Sequence, residues 1–180
     1  MKALLILAEG FEEIEAISSI DLLRRAEIEV CVAGLVEKNV RSARGLVVLA
    51  DFLLSEVGNQ FDALILPGGA IGAKNLALSI DVKKIILKMN QENKWICAIC
   101  ASPAWVLAPT GILNNKCATC YPGSEVRFHS STQYVLEKVI VHENIITSAG
   151  PGTAIDFALM IIEKLKGSVV AQKIKKDILS

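Results

Sequence analysis

The sequence has 180 residues, enough for a substantial core, and we expect a single domain spanning residues 1–180. Hydrophobic residues make up 52% of the chain and charged residues 21%, which is typical of a compact globular protein. Acidic and basic side chains are equal in number, at 19 each, which argues against a nucleic-acid partner.

The first residues lack the pattern of an export signal. An apolar run follows Lys2, but it is shorter than a secretory core and acidic residues come directly after it. No run is long enough to span a bilayer. Five cysteines, an odd number, suit a reducing compartment where thiols stay free. We therefore expect a cytoplasmic protein without a membrane partner.

The first third of the chain alternates apolar runs with a helical pattern. Residues 2–7 form a continuous apolar run, as expected for a strand buried on both faces of a parallel sheet. Residues 11–26 carry acidic side chains first and arginines last, which matches a helix dipole. Residues 27–35 predict a second strand, and residues 40–51 predict a ribbon that turns near Arg44.

The same alternation continues from residue 62. Residues 62–69 predict a strand followed by two glycines, and residues 79–94 predict a helix. The apolar residues 95–99 predict another buried strand. Ser102 and Pro103 suit the start of the next helix, which we expect to end near Gly111.

The last third completes an α/β pattern. Residues 117–120 and 139–150 predict strands, and residues 152–167 and 168–179 predict helices. Strands that alternate with helices argue for a doubly wound α/β sandwich with a mostly parallel central sheet. In such folds, functional side chains gather at the carboxyl ends of the strands.

The cysteines allow three interpretations. The pairs Cys97/Cys100 and Cys117/Cys120 have the spacing of two zinc knuckles, but Cys97 lies in a strand pattern, where side chains three apart face opposite sides. A thioredoxin-like dithiol would need both cysteines at a helix start, which only Cys100 reaches. The simplest interpretation, favoured for Cys31, Cys97 and Cys117, is a small buried hydrophobic residue. We expect no metal site.

Cys100 differs because it lies between a predicted central strand and a helix. This is the position of a nucleophile elbow, whose sharp turn needs small residues two before and two after the nucleophile, and Ala98 and Ser102 supply them. The N-terminal dipole and free N–H groups of the following helix favour a thiolate. We therefore predict a reactive, ionised Cys100.

Four segments, "LAEGFEEIEA", "LPGG", "AICASP" and "TSAGPGTAIDFAL", occur in an order and spacing that resemble the ThiJ/PfpI family. The likeness runs from Lys2 to about Lys173 and is strongest to the branch of the human parkinsonism-associated redox protein and bacterial YajL. It implies a flavodoxin-like α/β sandwich with a nucleophile elbow. It also implies a homodimer.

The resemblance assigns roles to individual residues. It makes Cys100 the nucleophile and redox-sensitive thiol, and Glu15 the carboxyl group beside it. It also implies an oxyanion pocket formed by Gly68, Gly69 and the backbone N–H of Ala101.

The residues themselves leave two of these assignments open. Helical periodicity does not choose between Glu12 and Glu15, and a carboxylate in a first helical turn is usually solvated. Gly68 and Gly69 also suit a plain turn at the end of a strand, although close approach of backbone to a ligand requires glycine as well. A buried Glu15 would keep its proton and could donate a hydrogen bond to a thiolate.

The chain departs from its relatives at two positions. Protease-like members have histidine directly after the cysteine, where this chain has Ala101, so we do not expect a peptidase. The branch commonly has a pocket histidine where this chain has Tyr121, which is a poor base near neutral pH. We expect surface or structural roles for His129 and His142. Arg44 matches an arginine at the pocket rim, and a site, a dimer contact or a solvated turn remains open for it.

The resemblance implies an enzyme that converts small dicarbonyls such as methylglyoxal to hydroxy acids without glutathione, by a glyoxalase or deglycase activity linked to oxidative-stress protection. Cys100 and Glu15 would carry the reaction, and no metal or organic cofactor is required. The alternative is a redox sensor or chaperone without enzymatic activity, in which Cys100 is oxidised to a sulfinate.

Overall fold

The buried apolar runs form a seven-stranded central sheet in a computed structural model that describes residues 1–58 and 60–180. The strands are β1 (Lys2–Leu7), β2 (Glu29–Gly34), β3 (Asn39–Arg41), β4 (Val47–Leu49), β5 (Phe52–Leu53), β6 (Ala63–Leu66), β7 (Trp95–Ile99), β8 (Cys117–Ala118), β9 (Gln133–Tyr134), β10 (Val139–His142) and β11 (Ile145–Ser148). The helices are α1 (Glu13–Arg25), α2 (Ala70–Leu78), α3 (Ile80–Gln91), α4 (Ala154–Lys166) and α5 (Ser168–Asp177).

The strand order is β10-β11-β7-β6-β1-β2-β5, and each neighbouring pair is parallel except β10 and β11. The chain passes from β1 to β2 on one side, whereas β6 lies on the other side of β1. The order therefore reverses between β1 and β6, and ligands of doubly wound sheets bind at such a point. The predicted flavodoxin-like fold with a mostly parallel sheet is confirmed.

Helices cover both faces of the sheet. Helix α1 contacts α4, which in turn contacts α5, whereas α2 contacts α3 and the helical turn that follows β7. Right-handed crossovers place the β1–β2 and β6–β7 connections on opposite faces. Phe157 and Ile161 of α4 are fully buried, as are the apolar side chains of β1. Within the described residues, no helix has the length and apolar character needed to cross a membrane.

The sequence pattern missed α2. This helix is short and mostly apolar, so it lacks the polar face by which a surface helix is recognised. Its Gly72 lies against the backbone of Phe11, since an added Cβ would be 2.8 Å from the Phe11 Cα. The predicted helix over residues 79–94 begins at Ile80, where Ser79 caps it by accepting a hydrogen bond from the Val82 N–H.

Candidate active site

Cys100 lies at the sharp turn after β7. Its φ is +65°, in the left-handed region that an L residue adopts only at an energetic cost. Its backbone is held on both sides, because its N–H donates to the Ser148 carbonyl at 2.9 Å and its carbonyl accepts from the Tyr121 N–H at 2.8 Å. This is the geometry predicted for an elbow nucleophile. The anchor from Ser148 was not predicted, since it depends on β11 lying beside β7.

The small residues around Cys100 allow this turn. Ala98 is fully buried, and Ser102 is buried with its hydroxyl donating to the Pro67 carbonyl at 2.6 Å. The predicted helix after the elbow is present from Ser102 to Thr110 and is followed by Gly111, as expected, but its turns are not those of a regular α-helix. It begins with a π-helical turn over Pro103–Leu107, in which the Ala108 N–H donates to the Pro103 carbonyl. A short 3₁₀ turn over Ala108–Thr110 follows.

Glu15, rather than Glu12, is the carboxyl group buried beside the elbow. Its side chain is 0% exposed, and its Oε2 accepts a hydrogen bond from the Gly68 N–H at 2.6 Å. Its Oε1 is buried without a partner oxygen or nitrogen among the described residues. Glu12 is half-buried at the start of α1. Periodicity left these two carboxylates open, and burial places Glu15 next to the thiol of Cys100.

Gly68 allows the thiol and the carboxyl group to approach each other. A Cβ added to Gly68 would lie 2.6 Å from the Cys100 Cβ and 2.9 Å from Glu15 Oε2. A Cβ on Gly69, whose φ is +88°, would lie 2.2 Å from the Gly10 carbonyl oxygen. Both glycines are therefore required by close contacts, and a plain turn does not account for them.

The predicted oxyanion pocket needs one correction. The Gly68 N–H already donates to Glu15, so it does not point at a reacting oxygen. The N–H groups of Gly69 and Ala101 instead lie against the Cys100 sulfur and favour its ionised form. These two N–H groups are the donors that remain for an oxyanion.

Burial dominates the electrostatics of the pair. Burial raises the pKa of Glu15 to about 7, although the hydrogen bonds from Gly68 and Cys100 oppose it. Burial also raises the pKa of Cys100 to about 12, and the negative charge of Glu15 adds to this effect. Burial therefore opposes the predicted resting thiolate more strongly than the N–H groups of Gly69 and Ala101 favour it. Near neutral pH the thiol is neutral, and Glu15 gains or loses its proton.

Exposure distinguishes Cys100 from Cys97, Cys117 and Cys120, but not from Cys31, which is 7% exposed. Cys100 is 8% exposed, whereas Cys97 in β7 and Cys120 are 0% exposed. Cys117 is partly exposed, and its sulfur lies 3.4 Å from the Gln133 side-chain oxygen. In the part of the chain that the structure describes, no group of three or more His, Cys, Asp or Glu side chains is arranged to hold a metal ion.

Tyr121 adjoins the site through its backbone. Its N–H donates to the Cys100 carbonyl, and its ring lies 3.4 Å from the point where a Cβ on Gly150 would be. About half of the side chain, 51%, is exposed. Its role as a replacement for the pocket histidine stays a prediction.

Arg44 lies farther from the thiol. Its backbone N–H donates to Glu13 Oε1 at 2.7 Å, and its side chain is exposed beside that carboxylate. The two histidines have structural partners. His142 Nδ1 accepts a hydrogen bond from the Cys117 N–H at 3.1 Å, and His129 Nδ1 lies 2.8 Å from the Ser131 hydroxyl.

A separate cavity of about 480 Å³ lies toward the amino ends of the strands. Lys2, Cys31 and Phe61 are among the residues that line it. None of the predicted site residues borders it, and ligands of this fold class bind at the opposite, carboxyl ends. We therefore place the candidate site at Cys100.

Comparison with known proteins agrees with the fold. Residues 1–164 match the model of the DJ-1/PfpI family. The chain belongs to this family. It is 41% identical over 180 residues to protein dj-1beta of Drosophila melanogaster, and the match covers 98% of this chain and 96% of that protein. The resemblance predicted from the sequence is confirmed.

Two further members of the DJ-1/PfpI family bear on function. The Caenorhabditis elegans protein DJR-1.2, named a glutathione-independent glyoxalase, is 34% identical over 165 residues, covering 91% of this chain and 88% of that protein. The solved structure of Toxoplasma gondii DJ-1 in an oxidized form has a TM-score of 0.95 at 40% identity, covering 99% of this chain and 97% of that one. The whole chain therefore shares its fold with DJ-1 proteins.

Proposed function

We propose that this chain is a cysteine-dependent, glutathione-independent glyoxalase that converts methylglyoxal-like dicarbonyls to hydroxy acids. The observation that carries the proposal is the buried Glu15 beside Cys100, with a pKa of about 7. A carboxyl group that titrates near neutral pH is suited to both taking and giving protons. The glyoxalase named in Caenorhabditis elegans supports the same chemistry.

The reaction begins with addition of the thiol to the aldehyde. The Cys100 sulfur forms a bond to the aldehyde carbon and its proton passes to the Glu15 carboxylate. Glu15 then gives this proton to the aldehyde oxygen, which yields a hemithioacetal and restores the carboxylate. Since the thiol is neutral, Glu15 serves as the base that ionises it during attack. The N–H groups of Gly69 and Ala101 stabilise the negative oxygen before it is protonated.

The second stage moves hydrogen from one carbon to the next. Glu15, again as carboxylate, removes the proton from the carbon bonded to sulfur and gives it to the ketone oxygen, so that an enediol forms. The hydroxyl on the sulfur-bearing carbon then loses its proton to Glu15, and the neighbouring carbon receives this proton, which gives a thioester of lactate and Cys100. Water then hydrolyses the thioester, releasing lactate and the free thiol. The sum is methylglyoxal plus water giving lactic acid, with no external oxidant or reductant.

A peptidase is not supported by this geometry. Cysteine peptidases ionise their thiol with a histidine, and the residue after Cys100 is Ala101. His142 accepts a hydrogen bond from the Cys117 backbone, and His129 lies on the surface beside Ser131. Both histidines therefore have local structural contacts.

The test is lactate formation from methylglyoxal by purified protein in the absence of glutathione. We expect Cys100→Ser to abolish it and Glu15→Gln to slow it by about a hundredfold or more, as for loss of a general base. Cys117→Ser is the matched control, because it removes a partly exposed thiol away from the site and should leave the rate unchanged. An inactive native protein, or full activity in Cys100→Ser, would refute the proposal.

The N–H groups of Gly69 and Ala101 also favour a second function, that of a redox sensor. In a redox sensor, two equivalents of peroxide would oxidise the Cys100 thiol first to a sulfenic and then to a sulfinic acid, releasing water at each step. The N–H groups of Gly69 and Ala101 and a protonated Glu15 are placed to bind the sulfinate oxygens. Intact-mass and peptide analysis after mild peroxide should show two added oxygens at Cys100. Equal oxidation of the partly exposed Cys117 would count against a sensor.

A further inference from the structure

Arg127 and Trp105 form a stacked pair beside the elbow. The guanidinium carbon of Arg127 lies 3.3 Å from the centroid of the Trp105 ring, at the contact distance of a cation–π stack. Within the described part of the chain, no hydrogen bond or ion pair of the guanidinium competes with this stack. The effect of removing the Arg127 side chain can therefore be attributed to the stack.

Residues 121–127, which we call the elbow loop, are tied to the elbow at both ends. At the start of the loop, the Tyr121 N–H donates to the Cys100 carbonyl at 2.8 Å. At its end, Arg127 stacks on Trp105, which lies in the π-helical turn just after Cys100. The two attachments are therefore made to Cys100 and to the helical turn that follows it.

The interior of the elbow loop is linked by its own hydrogen bonds. The Gly123 N–H donates to Glu125 Oε2 at 2.6 Å, the Ser124 N–H donates to the Tyr121 carbonyl at 2.9 Å, and the Arg127 N–H donates to the Ser124 carbonyl at 3.1 Å. These hydrogen bonds link the start of the loop to its end. The far end of the loop is attached by the stack of Arg127 on Trp105. A cation–π contact at an exposed site changes an equilibrium constant by about two- to fivefold.

We infer that Arg127 is a positioning residue that holds the elbow loop, and with it Tyr121, against the opening to Cys100. The loop then limits access to the thiol by size and favours small carbonyl compounds over bulky ones. The identity of those compounds rests on the proposed function, whereas the effect of Arg127 on access to Cys100 does not. Arg127 acts through Tyr121 and does not itself contact substrate.

The first test measures access without using the enzymatic reaction. Cys100 is alkylated at pH 8.5 with iodoacetamide or with a pyrene maleimide, and each rate is measured on the Cys100 peptide. Arg127→Gln should raise the ratio of the bulky to the small rate by about two- to fivefold. Lys173→Gln, which removes an exposed positive charge on α5, is the matched control and should leave the ratio unchanged. Arg127→Lys should give a labelling ratio between those of the native protein and Arg127→Gln, because an ammonium keeps the charge but not the planar stack.

A second readout reports the loop directly. In hydrogen–deuterium exchange, Arg127→Gln should speed exchange of the amides of Ser124 and Arg127 by about two- to fivefold, with exchange in β7 unchanged. Unchanged β7 exchange shows that the variant is folded. Loop amides and a labelling ratio both equal to those of the native protein would overturn the inference.

The third readout links the loop to the proposed reaction. Arg127→Gln should raise kcat/KM for phenylglyoxal relative to methylglyoxal by about two- to fivefold, mainly through a lower KM for phenylglyoxal. An unchanged ratio contradicts a role in substrate selection. A native protein that converts neither dicarbonyl refutes the proposed function, and the labelling ratio then decides the role of Arg127 by itself.

Discussion

The proton on Glu15 decides what the site can do. With its carboxyl group buried and one oxygen bound to the Gly68 N–H, Glu15 has little access to water, so its ionised form is disfavoured. It is still within reach of the Cys100 thiol, whose own pKa is raised even further by burial. At these pKa values the thiolate is the stronger base, so the proton rests on sulfur, and the Glu15 carboxylate takes it only as the bond from sulfur to the substrate forms.

The rate of dicarbonyl conversion should therefore follow the ionisation of Glu15. Because burial raises the pKa of Glu15 to about 7, kcat/KM should rise with pH up to about 7 and level off above it. In Glu15→Gln, the residual rate should lose this inflection. Steady-state kinetics from pH 5 to pH 9 check this. An inflection near pH 7 that persists in Glu15→Gln would show that another group is the base.

Glu15 should also make stability depend on pH. Its folded pKa of about 7 lies above the usual value of 4.5 for a glutamate, so the folded state holds this proton more tightly than the unfolded state does. The contribution is complete below pH 4.5 and is lost as pH rises through 7. At pH 8, ionisation of Glu15 thus lowers the free energy of unfolding by about 3 kcal/mol.

Glu15→Gln removes this dependence because an amide does not titrate. Thermal unfolding of both proteins at pH 5 and pH 8 isolates the effect, since surface carboxylates are common to both. We expect the variant to gain stability relative to the native protein between pH 5 and pH 8. A difference between the two proteins that is the same at both pH values would contradict a raised pKa.

Three connections of the fold meet at the site. Helix α1 follows β1 and brings Glu15, the turn after β6 brings Gly68 and Gly69, and the turn after β7 brings Cys100. These strands are neighbours in the sheet, so residues distant in sequence come together at their carboxyl ends. Gly68 lies where two of these connections touch.

Gly68→Ala should damage the site by adding one methyl group. The new Cβ would lie 2.6 Å from the Cys100 Cβ, and neither backbone can move far because both are hydrogen-bonded. We expect a loss of about 1–3 kcal/mol in the free energy of unfolding and the loss of lactate formation. Gly152→Ala is the matched control, because a Cβ there meets no atom within 4 Å. Denaturant unfolding and lactate assays of both variants check this, and native-like values for Gly68→Ala would contradict the close packing.

Local patterns predicted the elbow because its requirements are local. Ala98 and Ser102 flank Cys100 within five residues, and the family motifs identified Glu15. The charge state of the thiol was not predictable in this way. Burial of Cys100 depends on contacts with Gly68 and Ser148, which are distant in sequence, so the dipole of the following helix was given too much weight.

Two other features were missed for related reasons. Helix α2 is short and its exposed side includes the apolar residues Ile71 and Leu78, which are 62% and 76% exposed, so its sequence lacks the usual polar face of a surface helix. The stack of Arg127 on Trp105 joins residues more than twenty positions apart, and neither residue belongs to a motif. Only the folded chain brings these groups together.

Exposed apolar side chains on α1 and β4 form a candidate surface for contact with a second copy of the chain. Ile14 and Ile17 on α1 are 55% and 41% exposed, and Val47 and Leu49 on β4 are 52% and 70% exposed. The two elements are adjacent, since Glu13 at the start of α1 accepts hydrogen bonds from the β3–β4 hairpin. Exposed apolar side chains on neighbouring elements are commonly part of an interaction site.

We therefore propose that the chain forms a homodimer through α1 and the β3–β4 hairpin. Sedimentation velocity of the native protein should give twice the mass of one chain, and Ile17→Glu should give one chain, because it buries a charge in an apolar interface. Val169→Glu is the matched control, since Val169 is 83% exposed on α5, and it should remain dimeric. A native monomer would contradict the dimer, whereas a dimer that persists in Ile17→Glu would place the interface on another face.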